Sequence, residues 1–183
     1  MKIWPVPDSY SQELPKAGTP GCFWDNREDR FHCGVDIFAP ANSVVYAIQS
    51  GVVIDVGVFT KPDELLFWNI SYYVTIKTPQ NLNIKYAELS EVFVRIGDFI
   101  NAGQMIGRIS AVINEENMSH NTLQYIREFL SLGYTCMLHL ETYIAPITEV
   151  RPYDSGNYFG IEKPYSLIDP AIILNGTKSR FND

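Results

Sequence analysis

Between Val44 and Ile109 the sequence is broken into short runs of β-branched and aromatic residues. Val44-Val45-Tyr46-Ala47-Ile48, Val52-Val53-Ile54, Tyr72-Tyr73-Val74-Thr75-Ile76 and Ile84-Lys85-Tyr86 are separated by turn signals at Ser50-Gly51, Pro79-Gln80-Asn81 and Ile96-Gly97-Asp98. Residues of this type pack well on a pleated, half-buried surface, and the intervening Gly, Pro and Asn end each run. Strands at this rhythm predict an all-β fold, an antiparallel barrel-like sandwich with at least six strands. At 183 residues the chain suits a single domain over 1–183 with an adequate core. Residues 1–31 mix Pro5, Pro7, Pro15, Pro20, Gly18 and Gly21 with scattered polar residues, and read as an extended approach segment.

One stretch breaks the β pattern. Within an insert at 111–136, residues of about 114–132 carry Leu123, Ile126 and Leu130 at helical spacing, with Phe129 alongside. Asn121 is a candidate N-cap with Gln124 three residues on, and Gly133 falls where a C′ glycine belongs, so the pattern predicts a helix of 10–12 residues. The apolar stripe is expected to pack against the sheet, the other option being a lid over a groove. The following run, Cys136 to Ile144, reads as a strand with Met137, His139 and Glu141 on one face and Leu138 and Leu140 on the other. Ser166 to Leu174 is expected to form a short helix with Pro170 near its start.

Charge excludes some partners. The net charge of −7 and the absence of any Lys/Arg cluster argue against nucleic acid, and an acidic surface gains nothing from anionic lipid. No apolar segment approaches the length of a membrane span. Cys22, Cys33 and Cys136 are odd in number and lack C-x-x-C spacing, which favours a reducing compartment. No signal peptide is visible at Met1-Lys2-Ile3-Trp4-Pro5, so the chain is expected in the cytoplasm unless a leader has been removed.

Any site that needs imidazoles must draw on His32, His120 and His139 alone. In His32-Cys33-Gly34-Val35-Asp36 the glycine and the nearby Pro40 disfavour a helix, but an extended segment with even spacing can still aim His32 and Asp36 at one point. Imidazole nitrogen and carboxylate oxygen are both zinc ligands. The plainer reading is a hydrogen-bonded pair at a strand end, and for His139 a satisfied core histidine. Cys33 points away from His32 and reads as core.

Five motifs occur in order: Phe31-His32-Cys33-Gly34-Val35-Asp36-Ile37; Ser50-Gly51-Val52-Val53; Lys85-Tyr86-Ala87-Glu88-Leu89; Ala102-Gly103-Gln104-Met105-Ile106-Gly107; and Met137-Leu138-His139-Leu140-Glu141. Together with Trp4-Pro5-Val6 and Ile168-Asp169-Pro170 they resemble the lysostaphin-type (LytM-like) zinc metalloendopeptidases, bacterial cell-wall hydrolases, over most of residues 1–176. The resemblance implies the duplicated hybrid motif of that family, one zinc ion held by His32, Asp36 and His139, and a peptide or peptidoglycan-like substrate. Three protein ligands leave a fourth position open, the pattern of a catalytic zinc. Two further family histidines fall on Glu88 and Met137, both changed here. Glu88 becomes the candidate general base, while Met137 and Glu141 lie beside the metal or line the groove. For the missing oxyanion donor the sequence offers His120, or Tyr72, Tyr73 and Tyr143. Two functions follow: a metalloendopeptidase of altered or reduced activity, or a catalytically inactive module that keeps zinc for binding or regulation.

Overall fold

The computed structural model of the chain describes residues 2–63, 66–118, 122–144 and 152–178, so His120 and Asn121 lie outside the described residues. The strands are β1 (Phe31–His32), β2 (Val35–Phe38), β3 (Val44–Tyr46), β4 (Gly51–Thr60), β5 (Ser71–Lys77), β6 (Asn83–Val92), β7 (Phe99–Ile100) and β8 (Met105–Ile109). After the insert come β9 (Met137–Tyr143), β10 (Tyr153–Asp154), β11 (Asn157–Tyr158) and β12 (Leu167–Ile168). Two α-helices, α1 (Gln124–Ser131) and α2 (Ala171–Leu174), and a 3₁₀ turn at Glu115–Asn117 complete the described elements.

A nine-stranded sheet runs β12-β9-β6-β5-β4-β7, with β2 on β9 and with β8 joining β6 to β3; β1, β11 and β10 form a second, three-stranded sheet. Every pairing between these strands is antiparallel and the sheet does not close into a barrel. No helix among the described residues is long and apolar enough to cross a membrane.

The core follows from side-chain alternation. Ile84 and Tyr86 of β6, Val74 and Ile76 of β5, and Leu138 and Leu140 of β9 all enter one buried cluster with Ile106 and Ile109 of β8. On β6 the parity changes: Leu89 also faces this core although it lies three residues beyond Tyr86. A β-bulge accounts for it, because Val74 pairs with Tyr86 and Tyr72 with Leu89, so β6 holds one residue more than β5. At this point β6 leaves β9, paired through Ala87, and takes β8, paired from Leu89. Glu88 sits in the gap with φ +64°, and its carbonyl accepts a hydrogen bond from the Ser110 amide at 2.8 Å.

Strand β9 is buried along its whole length. Its second face, Met137, His139 and Glu141, is covered by other parts of the chain, α1 among them. Helix α1 is shorter than its pattern predicts, eight residues starting at Gln124, with Leu123 at the N-cap and no side-chain cap bond. Its C-terminus is as expected. Gly133 adopts φ +74°, its amide bonds to the Leu130 carbonyl at 3.0 Å, and the Tyr134 amide reaches the Phe129 carbonyl at 2.8 Å, a Schellman closure.

The C-terminal expectation needs a larger correction. Leu167 and Ile168 form a strand on Tyr143 and Thr142, and only Ala171–Leu174 is helical. Sheet hydrogen bonds claim the first part of that run, and the Asp169 carboxylate accepts the Ala171 amide at the helix start. The chain's two described ends meet where Ile3 bridges Lys178.

Candidate metal centre

His32 ends β1 and Asp36 lies on β2, with Gly34 turning the chain between them; Asp36 is the direct register partner of His139 on β9. Three atoms converge. His32 Nε2 lies 3.0 Å from His139 Nδ1, His139 Nδ1 2.9 Å from Asp36 Oδ1, and His32 Nε2 3.1 Å from Asp36 Oδ1. The residues are 1%, 2% and 3% exposed.

The outer nitrogens explain why this triangle suits a cation. His32 Nδ1 donates to the Cys22 carbonyl at 2.8 Å, and His139 Nε2 donates to Glu141 Oε1 at 3.0 Å. In neutral imidazoles those bonds use the only N–H of each ring, so two nitrogen lone pairs and a carboxylate oxygen face one another. Such a set repels unless a positive charge enters it. Edges near 3.0 Å leave a point about 2.0–2.1 Å from all three atoms, the bond length of zinc to N and O ligands. The donor set therefore fits a divalent cation such as zinc, and among the described residues no fourth protein ligand joins it.

The electrostatics agree. Burial would favour neutral Asp36, but the two histidines hold its carboxyl well below the usual carboxylate range. Burial, aided by the charge of Arg27, lowers His32 to about 4. Burial also works against a charged His139, yet its bonds to Asp36 and Glu141 and their charges push it up to about 9. In the metal-free protein a proton on His139 thus takes the cation's place.

Behind His139 lies a polar network that the sequence did not reveal. Tyr153 OH donates to Glu141 Oε1 at 2.7 Å, Lys85 Nζ donates to Tyr153 OH at 2.9 Å, and Lys85 Nζ stands 3.7 Å from Glu141 Oε2. Burial opposes ionisation of Glu141, but Lys85 and His139 overcome it and bring the carboxyl down to about 2. Bonded carboxylates behind a ligating histidine fix its tautomer and ring angle. Two glycines leave room for the ring. A Cβ on Gly34 would stand 2.8 Å from His139 Cε1, and one on Gly156 2.7 Å from His139 Nε2.

In front of the triad is a cavity of about 20 Å³, room for one water, bordered by Asp36, His139, Glu88, Met137 and Arg27 and roofed by Tyr125, Ile126 and Phe129 of α1. The apolar stripe does not pack on the sheet core as expected. Ile126 packs with Phe67 and Ile113 in a cluster separate from the main core, and the same helix covers the site. Glu88 reaches the cavity because of its bulge and left-handed backbone, a conformation costing about 1–2 kcal/mol for a residue with a side chain. It is 8% exposed, Oε2 has no partner, and burial together with the charge of Asp36 pushes its carboxyl up to about 8. Met137 is in place but has neither proton donor nor base.

The tyrosines proposed from sequence are engaged elsewhere: Tyr73 OH donates to Asp55 at 2.8 Å, Tyr143 faces Thr75, and Tyr72 is exposed. Cys33 packs with Tyr143 and Leu167, away from the triad. Sequence reasoning missed Arg27, whose Nη2 lies 3.1 Å from Asp36 Oδ2. In sequence it is one charged residue in a loop, and no pattern announces its burial.

Comparison with known proteins gives the family and the fold. The model of peptidase family M23 matches residues 30–128. Among solved structures, the LytM protein of Ruminococcus gnavus superposes with a TM-score of 0.53 at 18% identity, covering 97% of this chain and 62% of that one. Lysostaphin of Staphylococcus simulans gives 0.52 at 17% identity, over 95% of this chain and 55% of that one. Its catalytic domain alone gives 0.50 at 19% identity, over 88% and 92%. At these identities the likeness is one of fold. No curated protein matches the sequence.

Proposed function

The chain belongs to peptidase family M23, and from that membership we propose that it is a zinc-dependent endopeptidase of altered activity, acting on peptidoglycan-like peptides. The observation that carries the reading is the convergence of His32 Nε2, Asp36 Oδ1 and His139 Nδ1, with both outer ring nitrogens already bonded. Two similar structures lend it direction: lysostaphin is described as an antimicrobial peptidase, and the Ruminococcus protein is named a glycyl-glycine endopeptidase.

His32, Asp36 and His139 would hold the zinc ion, which would supply Lewis-acid chemistry toward a water and the peptide carbonyl. The chain's own groups do the rest. Glu88 turns a free carboxylate oxygen into the cavity and takes the water's proton, the role of an imidazole in the resembled family. The same carboxyl is placed to return that proton to the leaving nitrogen. Lys85, Tyr153 and Glu141 hold His139 at one angle. The roof of α1 excludes bulk water and strengthens each charge beneath it. Substrate reaches the triad only when part of that roof moves, and Met137 offers no donor, both of which reduce turnover.

A second reading, a zinc-retaining module without turnover, draws on the same burial of the triad. Metal analysis and peptide release separate the two. Purified protein is expected to carry close to one zinc per chain, lost in His139→Ala, and to release peptide from peptidoglycan or cleave pentaglycine. Cleavage is expected to vanish in Glu88→Gln with zinc retained. Zinc without cleavage selects the silent module, unchanged cleavage in Glu88→Gln removes Glu88 from the reaction, and protein that takes up no zinc removes the whole reading.

A further inference from the structure

Among the groups around the cavity, Arg27 is unexplained by metal binding alone. It is 8% exposed and pairs with Asp36 through Nη2 at 3.1 Å, while its Nε has no partner although buried. A buried donor left unpaired costs free energy, about 1–3 kcal/mol, so its persistence asks for a function. Three other donors around the same cavity are used: Thr60 Oγ1 on the Asn69 carbonyl, Ser155 Oγ on the Phe59 carbonyl, and Asn157 Nδ2 on the Ser155 carbonyl. The guanidinium is held by the insert. Its centre lies 4.4 Å from the Tyr125 ring and 5.5 Å from that of Phe129, both on α1.

We propose that Arg27 is the oxyanion donor of this site, its Nε–H accepting the charge that develops on the carbonyl oxygen of a bound peptide, in the place where Met137 can donate nothing. The proposal rests on the hydrolase reading above and deepens it. Water oxygen bonds to the carbonyl carbon as the C=O π pair moves onto oxygen beside Arg27. Glu88 carries one proton from water to the amide nitrogen, the C–N bond breaks, and the carboxylic acid so formed gives its remaining proton to the amine, leaving a carboxylate and an ammonium group. Arginine suits the role because its charge is permanent and its donors are rigidly placed. A preorganised donor in a water-poor cavity acts on the transition state more strongly than on the ground state. The insert then has a chemical reason to be present: by closing over the site it stacks on Arg27 and sets the donor's direction.

The test uses the zinc-loaded full chain and two probes, pentaglycine and a phosphinic pseudo-peptide with glycine on both sides of phosphorus, which presents a tetrahedral anion. Calorimetry is expected to show phosphinate affinity falling about 10²-fold in Arg27→Gln while pentaglycine affinity changes by less than about threefold. Arg27→Lys, which keeps a cation beside Asp36 but lacks Nε, is expected to fall between. In the wild-type protein the Arg27 Nε–H NMR signal is expected to shift on phosphinate binding, a reading that needs no variant to fold. Zinc-loaded Arg27→Gln that binds phosphinate as the wild type does, an equal loss for both probes, or an unmoved Nε–H signal overturns the proposal and leaves the hydrolase reading standing. Wild-type protein that takes up no zinc overturns that reading and this one with it.

Discussion

Gly34→Ala isolates the space that the triad requires. An added Cβ would lie 2.4 Å from the Leu140 carbonyl oxygen and 2.8 Å from His139 Cε1. Ordinary contact begins near 3.4 Å, so about 1 Å must be found between β2 and β9 or by turning the imidazole. Neither is easy. The carbonyl is backbone, and Val35 and Asp36 are in register with Leu140 and His139 on the neighbouring strand. Overpacking of this kind costs about 1–3 kcal/mol of stability. The effect on metal is expected to be larger. Zinc tolerates deviations of about 0.2 Å in its bonds, and the displaced residues carry two corners of a triangle whose edges are 2.9–3.1 Å. A loss of at least about 10²-fold in zinc affinity follows, about 2.7 kcal/mol. Urea denaturation in the presence of a chelator measures the first quantity, and competition with a calibrated zinc chelator the second. Gly133→Ala is the control: its φ of +74° penalises a side chain, but nothing lies within 4 Å and the triad is remote, so stability falls slightly and zinc affinity holds. If Gly34→Ala binds zinc within about threefold of wild type, the argument from space is wrong.

Two further predictions concern the charges around His139. Glu141→Gln removes the negative charge from the group that accepts from His139 Nε2 and leaves Lys85 buried beside no carboxylate, so stability is expected to fall by about 3 kcal/mol or more and zinc affinity by about 10–100-fold. Adding Lys85→Met is expected to recover part of the stability, and a double-mutant cycle in urea measures how much. In the metal-free protein, His139 at about 9 and Glu88 at about 8 both hold protons in the folded state that the unfolded chain has lost above pH 7. Between pH 7 and 8 the native state binds more protons than the unfolded one, so metal-free stability falls as pH rises. Zinc affinity runs the other way, because the metal competes with those protons. Denaturation curves at several pH values, with chelator and with zinc, are expected to show slopes of opposite sign, and equal slopes would refute the assignment.

Much of this was legible from local pattern. Period-two alternation placed Met137, His139 and Glu141 on one face of a strand and Leu138 and Leu140 on the other, as observed. Strand parity is a property of neighbouring residues and survives without knowledge of the partner strand. The same reasoning misjudged Leu167-Ile168, which an apolar run of that length leaves open to helix or strand until a sheet edge claims it. Gly34 was read only as an argument against a helix, whereas its lack of a side chain makes room for a ring 105 residues away.

The amino-acid sequence alone settles the β architecture, the order of the motifs and the chemical kinds of group available, because each depends on composition and spacing along the chain. It also shows that only three histidines exist to serve any site. The tertiary structure decides which groups meet. It brings β1, β2 and β9 together so that three donor atoms face one another, turns Glu88 inward at the bulge where β6 changes partner, and buries Arg27 between Asp36 and the aromatic face of α1. Those contacts join residues from four to more than a hundred positions apart, and their energies depend on burial and on distances of about 3 Å, neither of which is a property of any segment by itself.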